Sequence, residues 1–117
     1  MFLELSHTKL DIFSVSKSFV LACYKMTKSF PPEEKFGIIS QIRRAALSVH
    51  LNISEGCSRR SQAERNRFYE ISRGSLVEVD TAFDIAVELG FISKKELEET
   101  GDVIFRCFQL LSKMIAR

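Results

Sequence analysis

Apolar side chains return every three or four residues through four stretches of this chain, and short polar interruptions mark where each stretch ends. The first stretch predicts a helix over 8–29, with Ile12, Val15, Phe19, Ala22, Cys23 and Met26 on one stripe. The run SFPPEE stops it: Pro31 and Pro32 cannot continue a helix but suit the first turn of the next, and Glu33 and Glu34 complement the positive end of its dipole. A second helix over 33–56 follows, its apolar arc made by Ile38, Ile39, Ile42, Ala45, Ala46, Val49 and Ile53, with Gly56 and CSRRS as the break. Ser61-Gln62-Ala63-Glu64 has the S-x-x-E form in which serine and glutamate each satisfy an orphaned backbone N–H, so a third helix is predicted over 61–89. Phe68, Ile71, Ser75, Val79, Ala82 and Ala86 make its expected inner face, and Gly90 its stop. Ser93-Lys94-Lys95-Glu96 repeats the capping form and opens a fourth helix over 93–116, packing through Leu97, Ile104, Phe108, Leu111 and Ile115. No alternating strand pattern or hairpin signal competes, and the connections are short. The expectation is an all-α domain over 1–117: an up-down-up-down antiparallel four-helix bundle.

The second helix carries an anomaly. Gln41, Arg44, Ser48, Asn52, Glu55 and Arg59 share one narrow arc beside its apolar face, and Leu47 and Leu51 lie on the far flank of that arc. One reading is an ordinary solvated face. The other follows from apolar surface wrapping nearly round the helix: such a helix touches more than its own bundle, so self-association is expected. Gln41, Ser48, Asn52, Glu55 and, on the third helix, Glu78 are then subunit-contact or structural polar residues, whose pairing would set register more than stability.

Composition narrows the picture only a little. The 117 residues are 45% hydrophobic and 27% charged, the balance of a folded globular protein, and a net charge of +2 is too small to name a partner. Placement says more. Between residues 43 and 73 the basic residues are all arginine (Arg43, Arg44, Arg59, Arg60, Arg65, Arg67 and Arg73) against Glu55, Glu64 and Glu70. Residues 78–102 instead hold eight acids against Lys94 and Lys95. A guanidinium binds phosphate through a planar fork and stacks on bases, so these seven arginines are candidate contacts to an RNA or DNA backbone, without base readout. Pairing with the acidic stretch, in the same chain or another, is the competing use.

Catalytic and cofactor chemistry find little here. A carboxylate-bridged di-metal bundle needs Glu-x-x-His pairs, and His7 and His50 have neither. No glycine-rich phosphate loop is present, and Cys23, Cys57 and Cys107 are widely spaced without a CxxC pair. No enzyme activity, cofactor or metal is expected. Reduced thiols, together with the absence of a signal-like N-terminus or a bilayer-length apolar run, lead to the expectation of a cytoplasmic protein with no membrane partner.

Four pieces, QIRRAA (41–46), NISEG (52–56), Arg59-Arg60 and RGSLVE (73–78), set within FPPEEKFGIISQIRRAALSVHLNISEGCSRRS and RFYEISRGSLVEVDTAFDIAVELGFIS, resemble the bacterial four-helix-bundle proteins encoded in intervening sequences of 23S ribosomal RNA. Matching positions are Arg43, Arg44, Asn52, Glu55, Gly56, Arg59, Arg60, Arg73, Ser75 and Glu78. His50, Ser54 and Cys57 depart from the pattern, Cys57 taking a place often filled by an aromatic. The resemblance implies a closed bundle assembling as a homopentamer with no assigned enzymatic activity. The chain also resembles, less specifically, the accessory variability proteins of diversity-generating retroelements, which implies basic pentamers that bind nucleic acid and a reverse transcriptase. The leading expectation is thus a non-catalytic oligomeric nucleic-acid-binding bundle; the alternative is an assembly scaffold for a protein such as a reverse transcriptase.

Overall fold

The computed structural model describes residues 1–115, and these form four α-helices: α1 (Asp11–Thr27), α2 (Ile38–Cys57), α3 (Gln62–Glu88) and α4 (Glu98–Ile115). No strand occurs among the described residues. Each helix packs on the next and α4 closes back onto α1, so the protein is an all-α four-helix bundle whose core lies between the four helices. Phe19, Ile42, Val49, Ile53, Leu76, Val79 and Leu111 are fully enclosed there.

The helix ends differ from expectation for local reasons. Before α1, the Thr8 hydroxyl donates to the Leu5 carbonyl at 2.7 Å, Ser6–Lys9 coil into a single 3-10 turn, and extended Leu10 separates that turn from Asp11. Pro32–Glu34 coil as expected, but again as one 3-10 turn: Gly37 (φ −107°, ψ −118°) interrupts it, and α2 starts only at Ile38. Ser61 caps α3, its hydroxyl accepting the Glu64 N–H at 3.1 Å. The Ser93–Glu96 box closes in both directions, at 3.0 and 3.1 Å, and holds the Glu96 carboxyl below its ordinary pKa, chiefly through the Ser93 backbone N–H. It caps a 3-10 turn, Lys95–Leu97, that runs straight into α4. The expected end of this helix at residue 116 lies outside the described residues. Gly90 adopts the left-handed φ of 77° that lets the Gly90 and Phe91 N–H groups return to the Val87 and Ala86 carbonyls and end α3.

On α3 and α4 the buried faces are rotated from the predicted ones. Tyr69, Ser72, Leu76, Val79, Phe83 and Ala86 point inward on α3, whereas Ile71 is 43% exposed and Phe68 and Ser75 are half-buried. On α4, Thr100, Cys107 and Leu111 are buried, while Ile104 is half-buried and Phe108 lies outside. Buried hydroxyls cause the misphasing. Ser72 donates across the helix seam to the Val49 carbonyl at 2.7 Å, and on α1 the Thr27 hydroxyl returns to the Cys23 carbonyl at 2.8 Å, so small polar residues occupy core positions without unmet hydrogen bonds.

The α2–α3 seam is the most extensive helix contact, and it answers the anomaly of α2. Small residues line it: Ala45, Ser48, Val49, Asn52 and Gly56 face Ser72, Ser75, Leu76 and Tyr69. At Gly56 the helices come so close that a Cβ would stand 2.7 Å from Tyr69 Cε1 and 3.0 Å from Phe68 Cβ.

Candidate nucleic-acid interface

The run of seven arginines in the sequence does not fold into one patch. Arg43 faces α1: its Nε donates to Thr27 Oγ1 at 2.9 Å, Nη2 donates to the Tyr24 carbonyl at 3.3 Å, and the guanidinium lies 4.8 Å from the Tyr24 ring centre. Arg73 turns towards α4, donating to Ser112 Oγ at 3.2 Å over the Phe108 ring. Both fasten neighbouring helices.

Four arginines gather at the α2–α3 turn. Arg59 pairs with Glu55 one helical turn back (Nη2 to Oε1, 2.7 Å) and lies over Phe68, while Arg65 Nε donates to the Arg59 carbonyl at 2.7 Å and closes the turn. Arg60 and Arg67 are exposed and have no hydrogen-bond or ion-pair partner among the described residues. Arg44 is also exposed and unpaired among the described residues, but at 1.5 Å rise per residue it sits about 20 Å back along α2 from the helix end at Cys57. It borders a cleft of about 290 Å³ with Gln41, Ser48, Ser75 and Glu78. The polar stripe therefore divides. Asn52 Nδ2 donates to the Ser48 carbonyl and hydroxyl at 2.8 and 3.0 Å, and Ser48 Oγ meets Ser75 Oγ at 2.9 Å, so Asn52, Ser48 and Ser75 form a chain across the seam. Glu55 is used by Arg59, and Gln41, Arg44 and Glu78 remain at the cleft mouth.

The charge segregation of the sequence becomes a segregation along the bundle. Arg59–Glu55 is the one ion pair among the described residues, so none of the eight acids of residues 78–102 has an ion-pair partner among them. Those acids occupy the second half of α3 and the start of α4, at the opposite end from Arg59, Arg60, Arg65 and Arg67. Arginines thus outnumber acids at the α2–α3 turn, and acids outnumber lysines at the other end.

The remaining polar groups are tied into the fold. His50 Nδ1 lies 2.6 Å from Ser16 Oγ, but Ser16 has no exposed surface and its hydroxyl also reaches the Phe13 carbonyl at 3.1 Å. Burial first, then Lys17 and His7, lower the His50 pKa. Cys57 Sγ contacts Tyr69 Oη at 3.4 Å, and burial pushes that phenol upward. Burial likewise raises the Cys23 and Cys107 thiols to about 12. Among the described residues no three His, Cys, Asp or Glu side chains come together as a metal-binding group, and no helix is long and apolar enough to cross a membrane.

One surface feature escaped the sequence reading. Gly101, Ile104, Phe105 and Phe108 recur at helical spacing and form a second apolar stripe on α4: Phe105 and Phe108 face outward, against the expectation of a core place for Phe108, while half-buried Ile104 also packs against the core as expected. The spacing was visible, but periodicity cannot tell two stripes on one helix apart without knowing which is packed.

These features define a closed four-helix bundle with a cationic turn at one end. The chain belongs to the 23S rRNA-intervening sequence protein family, whose family model matches residues 8–115. No curated protein matches it in sequence. A crystal structure of a protein with unknown function from the S23 ribosomal protein family of Bacteroides thetaiotaomicron is similar with a TM-score of 0.80 at 19% identity, covering 91% of this chain and 99% of that one. At that identity the likeness concerns the fold.

Proposed function

We propose that this protein is a non-catalytic, cytoplasmic bundle that assembles as a ring, a homopentamer, and binds the phosphate backbone of RNA or DNA without reading bases. Arg60 and Arg67 carry the contact with Arg44 in support, while Arg43, Arg59, Arg65 and Arg73 chiefly hold the bundle together. The observation behind this reading is that Arg60 and Arg67 stand exposed, and unpaired among the described residues, at the end of the molecule farthest from the acids of residues 78–102. Gln41 and Glu78 at the mouth of the α2–α3 cleft, with exposed Leu47 and Leu51 nearby on α2, supply the subunit contact.

Fluorescence anisotropy with labelled structured RNA and duplex DNA, at 50 and 200 mM salt, tests it, with light scattering for the assembled mass. Each protomer that engages the duplex makes three phosphate contacts and adds about −2.7 to the log–log salt slope, so one engaged protomer gives roughly a 40-fold loss over that range. Arg60→Ala with Arg67→Ala should reduce that contribution to about −0.9 and the one-protomer loss to roughly fourfold. A wild-type affinity indifferent to salt would refute backbone binding and favour a protein ligand, a reverse transcriptase being the first to try.

A further inference from the structure

Between α3 and α4 runs a groove of about 460 Å³ lined by Val77, Asp80, Gly101, Ile104, Phe105 and Phe108 over a floor of Leu76. Its two walls differ in chemistry. The α4 wall is apolar, with Phe105 64% and Phe108 39% exposed. On α3, Val77, Asp80, Asp84 and Glu88 follow one another at helical spacing, and a second depression bordered by Asp80, Asp84 and Glu88, with Lys94 at its far side as the one cation, continues the line. None of the three acids has an ion-pair partner among the described residues. Above Gly101 the space is open: a Cβ there would find no neighbour within 4 Å, which leaves a notch in the apolar wall.

We propose that this groove is a docking site for an amphipathic helix of another protein, one whose apolar stripe is flanked by lysines or arginines. The apolar wall and the notch take the stripe, and the acidic wall takes the flanking cations. From Val77 to Glu88 the acidic wall is about 16 Å long, matching roughly three turns of a helical occupant. On α4, Arg106 and Lys113 lie beside the exposed Phe105 and Phe108 on one side only, with Asp102 among them, and that stripe is itself the groove wall; the free faces of α1 and α2 do not have the pattern. On α1, Lys17, Lys25 and Lys28 surround a single exposed large apolar residue, Leu21; on α2, exposed Leu47 and Leu51 have only Arg44 beside them and are followed by Glu55. One face offers cations without an apolar stripe and the other an apolar pair without enough cations. The groove is also separate from the arginines of the α2–α3 turn, so the proposal does not depend on nucleic-acid binding.

The test uses two labelled 14-residue synthetic helices with leucines at successive helical spacings, one flanked by lysines and the other by glutamates, titrated into the full-length protein by anisotropy. The lysine peptide should bind and the glutamate peptide should not. Asp80→Lys with Asp84→Lys, which changes only exposed groups, should weaken the lysine peptide about tenfold or more, as should Phe105→Ala, while Leu21→Ser and the Arg60→Ala, Arg67→Ala pair leave it unchanged. Equal binding of both peptides, or of all variants, overturns the proposal. So does a fall in assembled mass on Phe105→Glu in light scattering, because the groove would then be covered by a second copy of the chain.

Discussion

Gly56→Ala tests whether the close approach of α2 and α3 explains the glycine of the NISEG segment. The added methyl would stand 2.7 Å from Tyr69 Cε1 and 3.0 Å from Phe68 Cβ, well inside contact distance. Neither neighbour gives way easily. The Tyr69 ring is buried and its hydroxyl is held by Cys57, and Phe68 Cβ is fixed to the α3 backbone. The helices must therefore part, at the overpacking cost of about 1–3 kcal/mol. Helix propensity works the other way, because alanine inside a helix is favoured over glycine by about 1 kcal/mol. The expected balance, taking the upper part of the overpacking range for so rigid a contact, is a destabilisation of about 1–2 kcal/mol. Gly74→Ala on α3 is the matched control: nothing lies within 4 Å of its Cβ, so only the propensity gain remains and the protein should be stabilised by about 1 kcal/mol. Urea unfolding at one fixed protomer concentration reads both, since association adds its own concentration-dependent stability. Tyr69→Leu removes the clashing ring atom and should shrink the cost of Gly56→Ala, a coupling that a double-mutant cycle measures. A Gly56→Ala variant as stable as Gly74→Ala would refute the contact as the reason for glycine.

Other outcomes follow from groups already described. Arg43→Ala should destabilise the bundle by about 1–3 kcal/mol through loss of the Thr27 and Tyr24 contacts, with nucleic-acid affinity unchanged in the anisotropy assay. The folded His50 pKa lies below its ordinary 6.5, so the unfolded chain binds the proton more readily; stability should fall as pH drops from 6.5 towards the folded pKa, and His50→Gln should blunt the melting-temperature loss between pH 7.5 and 5.5. Thiol titration of the folded protein with a disulfide reagent should find Cys57 accessible and Cys23 and Cys107 silent until denaturant is added, since burial keeps those two thiols protonated.

The four helices were legible because their boundaries are written in local chemistry: serine caps with glutamate three residues on, tandem prolines, and a left-handed glycine. Where tertiary contacts decide, the one-dimensional pattern misleads. Ser16, Thr27, Ser72 and Thr100 are buried, and a rule that places polar residues outside rotates the faces of α3 and α4. Gly37 shortens α2 because the proline turn before it is a separate coil. The arginine run was legible as charge but not as a surface. Spacing alone does not reveal that Arg43 and Arg73 turn towards α1 and α4, or that Arg59 and Arg65 are occupied at the turn, leaving Arg44, Arg60 and Arg67 without a partner among the described residues. Asn52 and Ser48 stand out in the sequence, yet Ser75, which Ser48 meets across the seam, stands 27 residues beyond Ser48 and no periodicity links the two.

The excess of arginines at one end and of acids at the other gives the bundle a permanent electric axis. Rotational symmetry treats such an axis in a definite way: in a closed ring of any number of copies, components perpendicular to the symmetry axis cancel and components along it add. The ring proposed above would therefore have two unlike faces whenever the bundles are tilted out of its plane, one net cationic and the other net acidic. A nucleic acid would approach from one side only, leaving the acidic side free for a cationic partner at the same time.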